Sequence, residues 1–270
     1  MSLTLSSAMQ LFAADGDVVF SPPSVEHSFF FDRLGDGTVI ASVKAMVLLV
    51  LGALLIIGFF VMSARRAAVI PSKFQFFGES IYGFVRNGIA IEVLGKQGRK
   101  WAGFLATLFV FVLVLNLWEL IPLAQLPVTS HFAIPVFLAL LVWVIYNGVG
   151  IKKHGLFGYL KLQTYIPGIP VYMHALLIPI EFLSNIILRP FTLSVRLFAN
   201  MFAGHMLVGV AATGVIFQLE SGGVGYALFV LPGAASIILV FFELMVCALQ
   251  AYVFTLLAAI YLEGSLADSH

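Results

Sequence analysis

The stretch RPFTLSVRLFANMFAGH, residues 189 to 205, sets Arg189 and Arg196 inside sequence otherwise apolar enough to lie in lipid. A central arginine in a membrane helix costs about 2.5 to 3.5 kcal/mol on insertion scales, and a guanidinium does not shed its proton to escape that cost. Arg196 has apolar sequence on both sides, so it needs a partner or a water-filled cavity, and it is a functional-site candidate by default. Arg189 precedes Pro190 and has two readings: a charge snorkelling to the headgroups from a helix break, or a member of a functional stripe. At about 100° per residue, Asn185, Arg189, Thr192, Arg196, Asn200 and Ala203 fall within about 40° of one direction on a helix. Ala203 and Gly204 let a neighbouring helix come close to the end of that stripe.

Composition agrees with a bilayer as solvent. Of 270 residues 61% are hydrophobic and 10% charged, with a mean hydropathy of +1.07, which excludes an ordinary water-soluble domain. A net charge of +1 offers no field for nucleic acid. Cys247 excludes an intrachain disulfide and reads as a small core hydrophobe. There is no Walker loop, no GxSxG, no Cys/His cluster and no histidine pair spaced for haem, so neither catalysis by this chain nor a cofactor is expected.

Working outward, residues 1–44 form an N-terminal segment outside the membrane; its first 16 residues resemble the apolar part of a signal peptide without the basic n-region. Residues 45–64 carry no charge and are long enough to cross, and Arg65 and Arg66 put their far end in the cytoplasm and the N-terminus outside. Residues 74–95 interleave aromatics with Glu79, Arg86, Asn87 and Glu92, the pattern of an amphipathic helix along the membrane surface. Spans follow over 101–121 and 133–150, the second ending at Lys152, Lys153 and Lys161 in a basic cytoplasmic loop that also holds His154. His131 and His174 lie near span ends and read as interfacial.

From about 171 to 219, and again from about 225 to 262, the apolar sequence exceeds one perpendicular crossing. The second stretch as a helix is roughly 55 Å long against a hydrocarbon core of about 30 Å. These are read as two long, strongly tilted helices joined near LESGGVG, with the C-terminus cytoplasmic. The fold class is therefore all-α and integral to the membrane, with five to six helices. His205 lies nine residues past Arg196, on the opposite side of the first long helix. On the second, Gln250 and Tyr261 share a face with Glu243. A buried imidazole and carboxylate together hold each other's charge states and are able to relay protons.

The runs SVRLFANMFAGHML, FFELMVCALQAYVFTLLAAIYL and LNLWELIP resemble subunit a of the F-type ATP synthase, over most of the chain from the first span onward. The resemblance implies a non-catalytic stator in a bacterial inner membrane, with a ring of c subunits, b-type peripheral stalk subunits and the rest of the synthase as partners. It maps the family's essential stator arginine to Arg196, its asparagine to Asn200 and its last-helix glutamine to Gln250. The acid and imidazole of the outer half-channel map to Glu243 and His205, in the mitochondrial arrangement, which leaves open which of them titrates. Glu181 resembles a carboxylate of the cytoplasmic half-channel, but its spacing of fifteen residues to Arg196 is one longer than the family's. A serine of that half-channel therefore has two candidates: Ser184, by its offset from Glu181, and Asn185, by its offset from Arg196 and its place on the stripe. The competing class is a secondary ion transporter acting alone, and the carried ion, proton or sodium, stays open.

Overall fold

The computed structural model of the chain describes residues 37–65, 72–121, 128–164, 171–220 and 230–267, and among them all regular structure is helical. A backbone in lipid has no water to bond, and a helix satisfies its N–H and C=O groups within one segment. The helices are α1 (Gly37–Arg65), α2 (Lys73–Val85), α3 (Gly98–Leu117), α4 (Ala133–Thr164), α5 (Val171–Phe182), α6 (Arg189–Glu220) and α7 (Val230–Leu266). Five helical stretches among the described residues are long and apolar enough to cross a membrane, as an integral, all-helical membrane protein requires. α1 starts at Gly37, earlier than the expected first span; the N-terminal segment up to residue 36 and most of the expected LESGGVG turn lie outside the described residues.

The described residues form two compact units, Ser42–Phe202 with the chain from Val246 to residue 267, and Ala203–Met245 with the start of α1 up to Ala41. In the first, α2 continues through a π turn (Arg86–Ile91) and a last helical turn (Glu92–Leu94), reverses at Gly95 (φ 57°), and returns as α3. Val85, Ile89 and Ala90 are fully buried, and Phe84 packs on Phe109 with ring centroids 5.9 Å apart. The segment expected to be an amphipathic helix is thus helical, and it runs back along α3.

α4 outruns its expected end. Its helix passes Lys152, Lys153 and His154, which were expected in a loop, and breaks only at Gly155, whose φ of 73° and ψ of 165° are not helical. The following stretch reaches Thr164 and brings the Tyr159 ring onto Gly150, where a Cβ would stand 2.2 Å from the ring. Hydropathy marks where a helix leaves lipid, not where it ends, and only the glycine interrupts the hydrogen-bond ladder here.

Between α5 and α6 the helix passes through a second π turn, Leu183–Leu188, so helical structure is continuous from Val171 to Glu220. In this unit Arg189 meets Tyr261 and Asn200 meets Gln250, so the first part of α6 and the last part of α7 run antiparallel. In the other unit Gly204 lies against Glu243 and Gly214 against Pro232, again antiparallel.

Candidate functional site

The π turn is where local chemistry begins to shape the site. A π turn spends one more residue per turn than an α-helix, so the Arg189 N–H reaches back five residues to the Ser184 carbonyl and not to Asn185. Pro190 has no N–H for the Ile186 carbonyl. Two carbonyls are left over, and α4 supplies both donors: Tyr146 Oη to Asn185 O at 3.3 Å and Trp143 Nε1 to Ile186 O at 2.8 Å. Trp143 and Tyr146 are three residues apart and therefore share one side of α4.

This turn corrects the stripe. Asn185 does not continue the direction of Arg196; it is buried, and its Nδ2 donates to Glu181 Oε2 at 3.0 Å and to Gln163 O at 2.7 Å. A projection at constant pitch cannot see the extra residue that the turn absorbs. Of the two half-channel candidates, Asn185 is the one bonded to Glu181, whereas Ser184 contributes its carbonyl to the Arg189 N–H.

Arg189 lies over the Tyr261 ring, 5.2 Å from its centroid, and that ring packs on Tyr146 at 5.6 Å. Its charge is therefore held on an aromatic face of this chain. Arg196 stands on an exposed side of α6, while Leu193, Leu197 and Met201 turn inward. One turn on, Asn200 Nδ2 donates to Gln250 Oε1 at 2.7 Å. Gln250 is buried, and among the described residues its Nε2 has no partner.

In the second unit Glu243 is 2% exposed. Its carboxylate occupies the space that a side chain at position 204 would fill, with Oε2 at 2.1 Å and Cδ and Oε1 at 2.3 Å from an ideal Cβ on Gly204. A glycine beside His205 thus lets a carboxylate from α7 lie directly on the backbone of α6.

Sequence reasoning missed the polar residues around Asn185. Tyr159 Oη donates to Asn147 Oδ1 at 2.9 Å and accepts from Gln163 Nε2 at 2.8 Å, with Ser265 Oγ 3.3 Å away. The available signal was a tyrosine and a glutamine one turn apart in a basic, half-apolar stretch. His174, read as interfacial, is 7% exposed, and Cys247 is fully buried as expected. His131 is half-buried just before α4, and burial holds its imidazole below the usual 6.5.

A family profile described as ATP synthase A chain matches residues 45–263. ATP synthase subunit a of Nocardioides sp. is 44% identical over 268 residues, covering 95% of this chain and 96% of that one. The subunit of Pseudarthrobacter chlorophenolicus is 43% identical over 256 residues, 93% of this chain and 95% of the relative, and that of Streptomyces lividans 42% identical over 251 residues, 90% and 87%.

Proposed function

The chain belongs to the ATP synthase A chain family, and from that premise we propose that it is the stator of proton translocation, with Arg196 facing the carboxylates of a rotating c ring. The observation that carries this reading is the exposed guanidinium of Arg196 beside the Asn200–Gln250 hydrogen bond. An arginine in an apolar helix needs a counter-charge. A ring whose carboxylates pass one after another supplies it from outside the chain.

A proton enters from outside, passes the His205 and Glu243 region and neutralises one ring carboxylate, which then tolerates lipid. When a later carboxylate reaches Arg196, the fixed positive charge favours its ionised form, and the proton leaves toward the cytoplasm past Glu181 and Asn185. The buried Nε2 of Gln250 is available to hold that carboxylate or a water as it passes. The same positive charge blocks leakage between the two paths. Each proton crossing a potential of about 100 mV delivers about 2.3 kcal/mol to rotation. In this arrangement the N-terminus lies outside, the C-terminus and the Lys152–Lys153 end of α4 are cytoplasmic, the outer aromatic side of α2 meets the headgroups, and α6 and α7 tilt to keep their length in the membrane. The membrane is the bacterial inner membrane, and the b-type stalk holds the chain against the torque.

The test is Arg196→Ala in the intact synthase reconstituted in liposomes. Proton-driven ATP synthesis is abolished while the complex still assembles; synthesis at the wild-type rate defeats the reading. The purified chain alone gives no specific proton flux, whereas a transporter acting by itself does.

A further inference from the structure

The polar cluster behind Asn185 has no part in the path just described, yet it is deeply buried. Tyr159 is 2% exposed, Gln163 9%, Asn185 7% and Ser265 0%. A polar hub at such depth is tolerated only when its groups are satisfied, and a satisfied hub is rigid. Its geometry starts from Gly155, whose left-handed φ folds the last stretch of α4 back so that the Tyr159 ring rests on Gly150. The ring delivers the hydroxyl to Asn147 Oδ1, and Gln163, one turn later, donates to the same hydroxyl. Gln163 lies in the last turn of α4, where carbonyls have no helical donor, so its C=O is open to Asn185 Nδ2. An amide NH₂ has two hydrogens. With one engaged by Gln163 O, the other is aimed at Glu181 Oε2.

We propose that Tyr159 and Gln163 are positioning residues for proton release, the folded-back stretch 156–164 clamping the Asn185 amide so that its second hydrogen stays on the Glu181 carboxylate. The inference deepens the proposed exit path and rests on that reading. Without the hub, the Gln163 side chain loses its tether to Tyr159, its carbonyl no longer holds the Asn185 amide in one orientation, and the half-buried Glu181 side chain loses the contact that fixes its rotamer.

The experiment uses the whole synthase in liposomes with Tyr159→Phe, which keeps the ring on Gly150 and removes only the hydroxyl. Proton-driven synthesis falls about fivefold, the loss expected for one neutral hydrogen bond. The infrared carboxylate band of Glu181, identified by its disappearance in Glu181→Gln, shifts as its hydrogen bond weakens. In an Asn185→Ala background the same substitution costs less than about a further twofold, because the clamp then has nothing to hold. Gln163→Met, which removes the donor and leaves the backbone acceptor, behaves as Tyr159→Phe does. An unmoved Glu181 band, a wild-type rate, or losses that multiply with Asn185→Ala overturn the clamp, as does failure of both Tyr159→Phe and Gln163→Met to assemble, which assigns the hub to folding alone. Arg196→Ala separates this result from the parent reading. If it abolishes synthesis while Tyr159→Phe is silent, the clamp alone falls; if it leaves synthesis intact, the stator reading falls whatever Tyr159 does.

Discussion

Placing a methyl group at position 204 tests whether the carboxylate of Glu243 works from its seat on the α6 backbone. An ideal Cβ there stands 2.1 Å from Oε2, and ordinary contact begins at 3.4 Å, so the carboxylate must retreat by about 1.3 Å. Glu243 is 2% exposed, so the retreat requires a changed rotamer or a shift of α7. Overpacking of this kind costs about 1 to 3 kcal/mol. Spent on the proton path, that is roughly a 5- to 160-fold loss of rate. Helix propensity works the other way, since alanine favours a helix over glycine by about 1 kcal/mol, so assembly is not the step that suffers. The assay is ATP synthesis by the reconstituted complex under an imposed proton gradient, normalised to assembled complex. Gly233→Ala, at a site with nothing within 4 Å, is the control and keeps its activity. Glu243→Asp is shorter by one methylene, close to the displacement required, so the double variant Gly204→Ala/Glu243→Asp recovers part of the loss. Wild-type synthesis in Gly204→Ala would refute the reasoning.

Exchanging the pair, His205→Glu with Glu243→His, restores more synthesis than either single change; losses that simply multiply argue against direct coupling of the two groups. Trp143→Phe leaves the Ile186 carbonyl, already deprived of a helical donor by Pro190, without its 2.8 Å bond, and lowers the unfolding free energy of the solubilised chain by about 1 to 3 kcal/mol; an unchanged Tm counts against the account of the π turn. His131, held neutral by burial, binds its proton less readily folded than unfolded. Its contribution to stability is present above the ordinary pKa of 6.5 and is lost as pH falls from there toward the lowered folded value. Thermal melts from pH 7 down to pH 5 show a falling Tm, and His131→Gln flattens that slope; a slope unchanged by the substitution disposes of the explanation.

Much of the bundle was legible because membrane helices obey a one-dimensional rule. A run of apolar residues long enough to cross is readable without its neighbours, which is why the stretch from about 171 to 219 returns as α5, the π turn and α6, and the stretch ending near Leu262 as α7. Arg196 stood out as a candidate for the same reason, since a charge within such a run is conspicuous before any contact is known. α4 was not, because Lys152 and Lys153 mark the edge of lipid while the helix itself ends on the backbone conformation of Gly155.

By itself the sequence determined the helices, their order, and the residues that lipid makes expensive, all of which depend on side chains taken along one strand of chain. What only the tertiary structure decided was phase and pairing. A single π turn rotates everything before it by about one residue, or about 100°, and so moves Asn185 from the side of Arg196 to the side of α4. The seat of Glu243 on Gly204 and the bond from Asn185 to Gln163 join residues 39 and 22 positions apart. Such contacts depend on how closely two helices approach, a distance that periodicity along either helix does not contain.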